Sequence, residues 1–145
     1  MNEYNLNRFI KAQNECFEIV YQELNNGKKE SEWMWFIFPR IFGLGETTMD
    51  VYYAINSLDE AKAYLENETL RERLIYLVEL LVNSNINDAV QIFGFPDNIK
   101  FWSSMTLFNY VDEKEISFKK ALDKFFQGRL ELATIEILKD QSELK

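Results

Sequence analysis

Histidine is absent from this chain of 145 residues. Its absence removes the commonest general base, the Ser-His and Cys-His pairs of nucleophilic catalysis, and zinc sites built on imidazole. Any chemistry must therefore rest on carboxylates, lysine, tyrosine, hydroxyl groups or backbone amides. The sequence also offers no motif for a metal ion or an organic cofactor, and we expect neither.

Cysteine and long apolar runs are equally scarce. The single cysteine, Cys16, excludes an intramolecular disulfide. No apolar run approaches the roughly 20 residues of a membrane-spanning helix. The first residues, MNEYNLNRF, are polar and lack the apolar centre of a signal peptide. We therefore expect a cytoplasmic protein without a membrane partner.

Basic residues are outnumbered, with 16 Lys and Arg against 24 Asp and Glu, which gives a net charge of −8. The only basic doublets, Lys28-Lys29 and Lys119-Lys120, lie beside acidic neighbours. Binding to the phosphates of nucleic acid needs clustered Lys and Arg. We therefore expect no nucleic-acid partner, although the composition is compatible with a local basic pocket.

Large apolar side chains, in contrast, are plentiful. Apolar residues make up 47% of the chain and aromatic residues 15%. A chain of this length fits one domain and buries roughly two thirds of its unfolded surface, so these side chains suffice for an ordinary core. We predict a single domain over residues 1–145 that is a monomer or a weak homo-oligomer.

Helical spacing of apolar residues extends along most of the chain. The clearest stripe runs from Leu6 to Leu24, with Asn5 as its predicted N-cap and Gly27 at its end. Later stripes follow residues that commonly cap helices, namely Ser57, Thr69, Asn87 and Ser117. The connections between stripes are short. The pattern predicts a compact all-α domain of about seven or eight helices in an orthogonal or irregular bundle.

One aromatic window, SEWMWFIFPRIFGLGETTMD (31–50), has no polar face between Trp33 and Phe38. Periodicity cannot distinguish a helix from a buried strand there. Because few other strand signals exist and Pro39 disfavours helical geometry at Phe38, we predict a short buried helix followed by an ordered loop over 39–50. Gly43 and Gly45 either satisfy turn geometry or form a backbone-amide nest for an anion.

A second segment, IFGFPDNIKFWSSMTLF (92–108), embeds polar residues in apolar sequence. On a helix, Asp97, Lys100 and Ser104 lie on one side, with Ser103 adjacent. The hydroxyl groups either bond to carbonyls of the preceding turn while small residues permit close packing, or they face a ligand with Lys100 as the cation.

Four ordered blocks of this chain resemble a bacterial family known as domain of unknown function 1810, whose members are sometimes mislabelled calpastatin. The blocks span nearly the whole chain and are WMWFIFPRIFGLG, YAINSLDEAKAYL, IFGFPDNIKFWSSMTLF and FFQGR. The resemblance implies an all-α fold and carries no established activity. Arg40 stands where the family pattern has Gln, and Asn98 stands where it has Asp. If either position contacts a ligand, the net charge of the site is more positive here than in the family pattern.

The helical layout is also similar to that of N-glycosidase-type domains that act on ADP-ribose-linked substrates, although only at the level of analogy. This similarity, together with the two polar and aromatic segments, motivates one hypothesis. A small nucleotide-like ligand, including one related to ADP-ribose, binds between the Trp-rich segment and the Lys-x-x-Ser-Ser helix. The candidate ligand-binding residues are Trp33, Trp35, Arg40, Gly43, Gly45, Asp97, Lys100, Ser103 and Ser104. In any reaction a carboxylate such as Asp97 would be the base or would stabilise an oxocarbenium ion.

The alternative hypothesis is a structural or protein-interaction module without catalytic activity. It predicts that Trp33 and Trp35 are both fully buried and that no cavity lies beside them. It also predicts that Ser103 and Ser104 bond to backbone carbonyls.

Overall fold

The computed structural model describes residues 4–143, which form nine α-helices and no strand. In chain order the helices are α1 (Asn7–Asn25), α2 (Met34–Ile37), α3 (Thr48–Tyr52), α4 (Leu58–Glu66), α5 (Glu68–Val82), α6 (Ala89–Phe93), α7 (Asp97–Val111), α8 (Ile116–Phe126) and α9 (Leu132–Glu143). The predicted all-α fold is confirmed. Among residues 4–143, none of the helices combines the length and apolar character needed to cross a bilayer.

Helix α1 begins without the predicted cap. Leu6 occupies the N-cap position, and Asn5 has a positive φ of 51°. The carbonyl of Asn5 accepts hydrogen bonds from the backbone and the guanidinium of Arg8, so this turn is held by Arg8 rather than by an asparagine side chain. The predicted end is confirmed, because Gly27 has φ +78° and a Cβ there would overlap the Ile86 side chain.

The later caps were predicted with mixed success. Ser57 accepts from the backbone N–H of Glu60, as expected. Helices α5, α6 and α8 are capped instead by Asn67, Asp88 and Glu115, so the predictions of Thr69, Asn87 and Ser117 were wrong. In each case a nearby Asn, Asp or Glu supplies the acceptor. Ser117, for example, donates its own hydroxyl to the Glu115 carboxylate.

The aromatic window forms the predicted short buried helix, α2, which packs against α1. Phe38, the residue before Pro39, leaves helical geometry, as expected from the steric effect of proline on its predecessor. The Phe38 ring contacts Phe93 and Phe101 edge to face, with centroids 5.9 and 4.9 Å apart. Helix α7 packs against α4, α6, α8 and α9, so these rings join α2 to the centre of the core.

The segment after α2 differs from the predicted loop because it contains α3. Thr47 and Asp50 form a capping box that starts this helix, although α3 buries none of its residues. Ile41 and Ile55 pair at the base of the segment through a short parallel bridge. The bridge brings the two ends of residues 42–54 together.

Arg8 fixes the far end of this segment. Its Nε donates to the Tyr52 carbonyl over 2.9 Å, and Nη2 donates to the Ala54 carbonyl and, over 2.7 Å, to Glu60. The Arg8 and Glu60 side chains are both buried. A buried charge pair of this kind is tolerated when its remaining donors are also hydrogen-bonded, as they are here.

Candidate functional site

A narrow cleft lies between the chain from α2 to α3 on one side and α7 on the other. It is lined by Met34, Trp35, Phe38, Arg40, Ile41, Gly43, Gly45, Asp50, Tyr53, Ala54 and Lys100. Its empty volume is about 360 Å³ including the open mouth, and about 20 Å³ of this can hold the centre of a water molecule. The interior therefore has room for roughly one or two waters.

Two cations and an aromatic ring meet in this cleft. The Nζ of Lys100 lies 5.8 Å from the centre of the Trp35 ring, within the range of a cation–π contact. Trp35 is half-buried. Arg40, which follows α2, lines the same cleft. Trp35, Arg40 and Lys100, all candidates from the sequence, are thus brought together.

Asp50 supplies the negative charge of the cleft. Its Oδ1 accepts from Arg40 Nη2 over 3.2 Å, and its Oδ2 accepts from the backbone and hydroxyl of Thr47. Burial works to raise the pKa of Asp50, but these hydrogen bonds and the charges of Arg40 and Lys100 hold it below its ordinary value. Asp50 is therefore an ionised carboxylate at neutral pH.

Arg8 and Arg40 differ in how their guanidinium donors are used. Arginine carries five N–H donors. Arg8 directs its guanidinium to the carbonyls of four residues and to the Glu60 carboxylate. Arg40 donates only to Asp50 within residues 4–143. Most of the hydrogen-bonding capacity of Arg40 is therefore available in the cleft.

The two glycines of the cleft satisfy different steric needs. Gly43 has φ +111°, a backbone conformation that other residues rarely adopt. A Cβ on Gly45 would lie 2.6 Å from Asp50 Oδ2 and 2.8 Å from Arg40 Nη2. The absence of a side chain at Gly45 is therefore what lets the Arg40–Asp50 pair approach the backbone.

Asp97 lies beside the cleft but does not line it. One carboxylate oxygen pairs with Lys29 Nζ over 2.9 Å, and the other lies 3.5 Å from Lys100 Nζ. The Lys29 side chain is buried and also lies over the Trp33 ring, 5.4 Å from its centre. Asp97 is thus closer to Lys29 than to Lys100, so Lys100 is the more weakly paired of the two cations.

Trp33 belongs to the core and not to the cleft. It is 1% exposed, and its Nε1 donates to Glu23 over 2.9 Å. Glu23 also accepts from the backbones of Glu30 and Ser31 and from the Ser31 hydroxyl. Burial tends to raise the pKa of Glu23, but these hydrogen bonds outweigh it and hold the pKa at about 2. This carboxylate holds the Trp33 indole in the core.

The two serines of α7 also lie outside the cleft lining. Ser103 donates to the Ile99 carbonyl over 3.1 Å and contacts Glu131 at 2.9 Å, so it joins α7 to the start of α9. The Ser104 hydroxyl is buried and has no hydrogen-bond partner within residues 4–143. The backbone bond of Ser103 is the one that the alternative hypothesis predicts, whereas the unpaired hydroxyl of Ser104 departs from that prediction.

Neither hypothesis matches the structure completely. Full burial of Trp33 and the backbone bond of Ser103 fit an interaction module, whereas the half-buried Trp35 beside a cleft does not. The sequence reasoning also missed Asp50 and Tyr53 as cleft residues. The Thr47-x-x-Asp50 spacing could have placed Asp50 in a first helical turn, but its pairing with Arg40 arises only from the tertiary fold.

Comparison with known proteins gives a family and a structural neighbour. Residues 3–138 match the family described as "Protein of unknown function (DUF1810)". The structure is similar to the crystal structure of the conserved hypothetical protein Rv1873 from Mycobacterium tuberculosis. The TM-score is 0.93 at 37% sequence identity, over 95% of this chain and 99% of that chain. No curated protein matches the chain.

Proposed function

This chain belongs to the DUF1810 family of proteins of unknown function, and we propose that it binds a small nucleotide-like ligand whose anionic group lies between Arg40 and Lys100. Ligands related to ADP-ribose are included in this class. The supporting observation is that two incompletely paired cations line one cleft beside an aromatic ring.

Charge favours an anion in this cleft. Arg40 and Lys100 each carry a positive charge, and Asp50 carries the one negative charge of the cleft lining. The planar guanidinium of Arg40 matches the geometry of phosphate and carboxylate oxygens, while Lys100 acts as a point charge. A phosphodiester or carboxylate monoanion would therefore neutralise the local excess.

Trp35 gives the site its preference for a planar group. Its ring lies against Lys100 and is half-buried, so a base or nicotinamide ring could stack on the part that remains accessible. The closed interior admits only a group of the size of one or two waters. The anionic group therefore approaches Arg40 and Lys100 from the mouth of the cleft, and the remainder of the ligand lies along that mouth.

Any reaction in this site would use Asp50 rather than Asp97. Asp50 lines the cleft as an ionised carboxylate, whereas Asp97, the base expected from the sequence, is engaged by Lys29 outside the lining. A carboxylate facing a bound ribose can accept a proton or stabilise a developing positive charge. Binding alone, without turnover, uses the same residues.

A second candidate function is an interaction module, favoured by the complete burial of Trp33 and by the small interior of the cleft. In that case the Arg40–Asp50 and Lys100–Asp97 pairs stabilise the fold and bind nothing. The two candidates differ in their response to small anions, which gives the experiment that separates them.

Thermal-shift measurements at low ionic strength with ADP-ribose, NAD, AMP and inorganic phosphate test the proposal. A ligand at 100 times its Kd adds about 2.7 kcal/mol of stability, which corresponds to a Tm increase of roughly 5–11 °C for a domain of this size. We expect this increase for the wild type, a smaller one for Arg40→Gln and Lys100→Gln, and an unchanged one for Arg129→Gln, an exposed arginine used as control. No increase with any of the four ligands would favour the interaction module.

A further inference from the structure

The size of the cleft conflicts with the size of the proposed ligand. Pockets for drug-sized molecules hold about 300–1,000 Å³, whereas only about 20 Å³ of this cleft admits the centre of a water molecule. We infer that residues 42–51 form a flap latched by the Arg40–Asp50 ion pair, and that an anionic ligand opens the flap by taking Arg40 from Asp50. The ligand step rests on the proposed function, but the latch itself does not.

The flap is a peripheral element. Every residue from 42 to 51 is exposed or half-buried, while Ile41 before it is buried. At one end Phe42 N–H donates to the Ile55 carbonyl over 2.8 Å. At the other end Arg8 holds the Tyr52 carbonyl. Both ends are therefore fixed, and the chain between them can move as a unit.

Few contacts hold the flap closed between these ends. Within residues 4–143, Arg40–Asp50 is the one polar side-chain bond that joins residues 42–51 to the rest of the molecule. Leu44 adds a half-buried apolar contact with the core. The other hydrogen bonds of Asp50 run to Thr47, inside the flap, and would move with it. Loss of the ion pair thus leaves α3 intact and removes the main polar restraint.

In this arrangement Asp50 competes with the ligand for Arg40. It occupies Arg40 with a carboxylate, as a ligand phosphate would, and Lys100 attracts both groups. When the flap opens, the Asp50 carboxylate leaves Arg40 and moves with the first turn of α3 to the mouth of the cleft, beside the ribose, and Arg40 and Lys100 are left to the anionic group. A neutral nucleoside offers Arg40 no replacement charge. Asp50 is therefore a specificity-determining residue that restricts the site to anions.

Fluorine NMR of the protein labelled with 5-fluorotryptophan tests the latch in the absence of any ligand. The three tryptophans give separate reporters: Trp35 in the cleft, Trp33 in the core and Trp102 stacked on Phe126. We expect Asp50→Asn and Arg40→Gln to shift the Trp35 signal and to increase its H₂O/D₂O isotope shift. The Trp33 signal should stay in place. Arg40→Lys, which can restore the ion pair, should return Trp35 towards its wild-type position.

Two results would overturn the latch. An unchanged Trp35 signal in both variants would show that the ion pair does not hold the flap. Displacement of the Trp33 signal together with that of Trp35 would show that the pair supports the whole fold rather than one segment.

Titration with ADP-ribose tests the competition separately. Asp50→Asn should bind about threefold to fivefold more tightly than the wild type, because an ion pair of ordinary strength no longer opposes binding. Adenosine should bind neither protein. Equal affinity for ADP-ribose in the two proteins would disprove competition, whereas failure of both to bind would disprove the proposed function and leave the ligand-free latch result standing.

Discussion

Lys100 places its ammonium 5.8 Å from the centre of the Trp35 ring, and the two residues face a cleft that Arg40 also lines. This contact joins helix α7 to an aromatic segment that lies far from it in the sequence. The environment of Trp35 thus differs from that of Trp33, which is two residues away and donates its indole N–H to Glu23 in the core.

Substitution of Gly45 by alanine should damage the cleft without straining the backbone. The new Cβ would lie 2.6 Å from the Asp50 carboxylate and 2.8 Å from the Arg40 guanidinium, so the ion pair must separate or shift. We expect a loss of about 1–3 kcal/mol, as for other overpacked sites, measured by urea denaturation. The same substitution in an Asp50→Ala background provides the comparison and should cost less, because the carboxylate that the new Cβ would overlap is then absent. An equal loss in the two backgrounds would contradict the steric argument.

Substitution of Glu23 by glutamine should destabilise the protein in a pH-dependent manner. The folded-state pKa of Glu23 is about 2, below the ordinary value of 4.5, so the ionised carboxylate favours the folded state. That contribution is fully present above pH 4.5 and declines as the pH falls towards 2. We expect Glu23→Gln to lower the free energy of unfolding by about 2–3 kcal/mol at pH 7.

Urea denaturation of the wild type and Glu23→Gln at pH 7, 5, 4 and 3 measures this effect. The difference between the two proteins should be constant from pH 7 to 5 and should shrink at pH 4 and 3. A difference that grew as the pH fell would reverse the sign of the linkage and refute the assignment of the low pKa to Glu23.

Removal of one partner from the buried Arg8–Glu60 pair should have the largest effect on stability. Glu60→Gln leaves the Arg8 guanidinium buried without its counter-charge, for which we expect a loss of about 3–5 kcal/mol. Asp123→Asn breaks the exposed Lys119–Asp123 pair and should change stability by less than about 1 kcal/mol. Thermal denaturation of both variants checks the contrast, and similar losses at the two pairs would contradict it.

Salt should weaken ligand binding through Arg40 and Lys100. Both cations are accessible from the cleft, so their attraction for an anion is screened as the ionic strength rises. We expect the Kd of ADP-ribose to increase several-fold between 50 and 500 mM NaCl for the wild type, and to increase less for Lys100→Gln. An affinity independent of salt in the wild type would show that Trp35 stacking, and not charge, dominates binding.

The sequence was sufficient to predict the elements that bury an apolar face. The stripe of α1, the unbroken aromatic run of α2 and the glycine at position 27 each led to the observed structure. Helix α3 was not predicted because it buries no residue and has no apolar period to detect. The caps at Thr69, Asn87 and Ser117 were wrong because several competent acceptors lie within two residues of each helix start.

The candidate site was predictable only in outline. Sequence pattern identified the two segments that face each other, but it could not decide which tryptophan faces the cleft. That choice depends on Glu23, a residue of α1 whose carboxylate accepts a hydrogen bond from the Trp33 indole N–H. The same limit applies to Asp50, whose bond with Arg40 forms only when the Ile41–Ile55 bridge returns the chain to α2. The spacing of residues along the sequence indicates neither the Glu23–Trp33 bond nor the Arg40–Asp50 bond.

Isothermal titration calorimetry with ADP-ribose at low ionic strength tests the role of the paired cations most directly. The wild type and Lys119→Gln, which changes an exposed lysine remote in sequence from the cleft segments, should bind with the same Kd. Lys100→Gln and Arg40→Gln should each raise the Kd by roughly tenfold to 150-fold, since a charge-assisted hydrogen bond is worth roughly 1.5–3 kcal/mol. Equal Kd values for all four proteins, or no heat of binding in the wild type, would contradict the assignment of this cleft as an anion site.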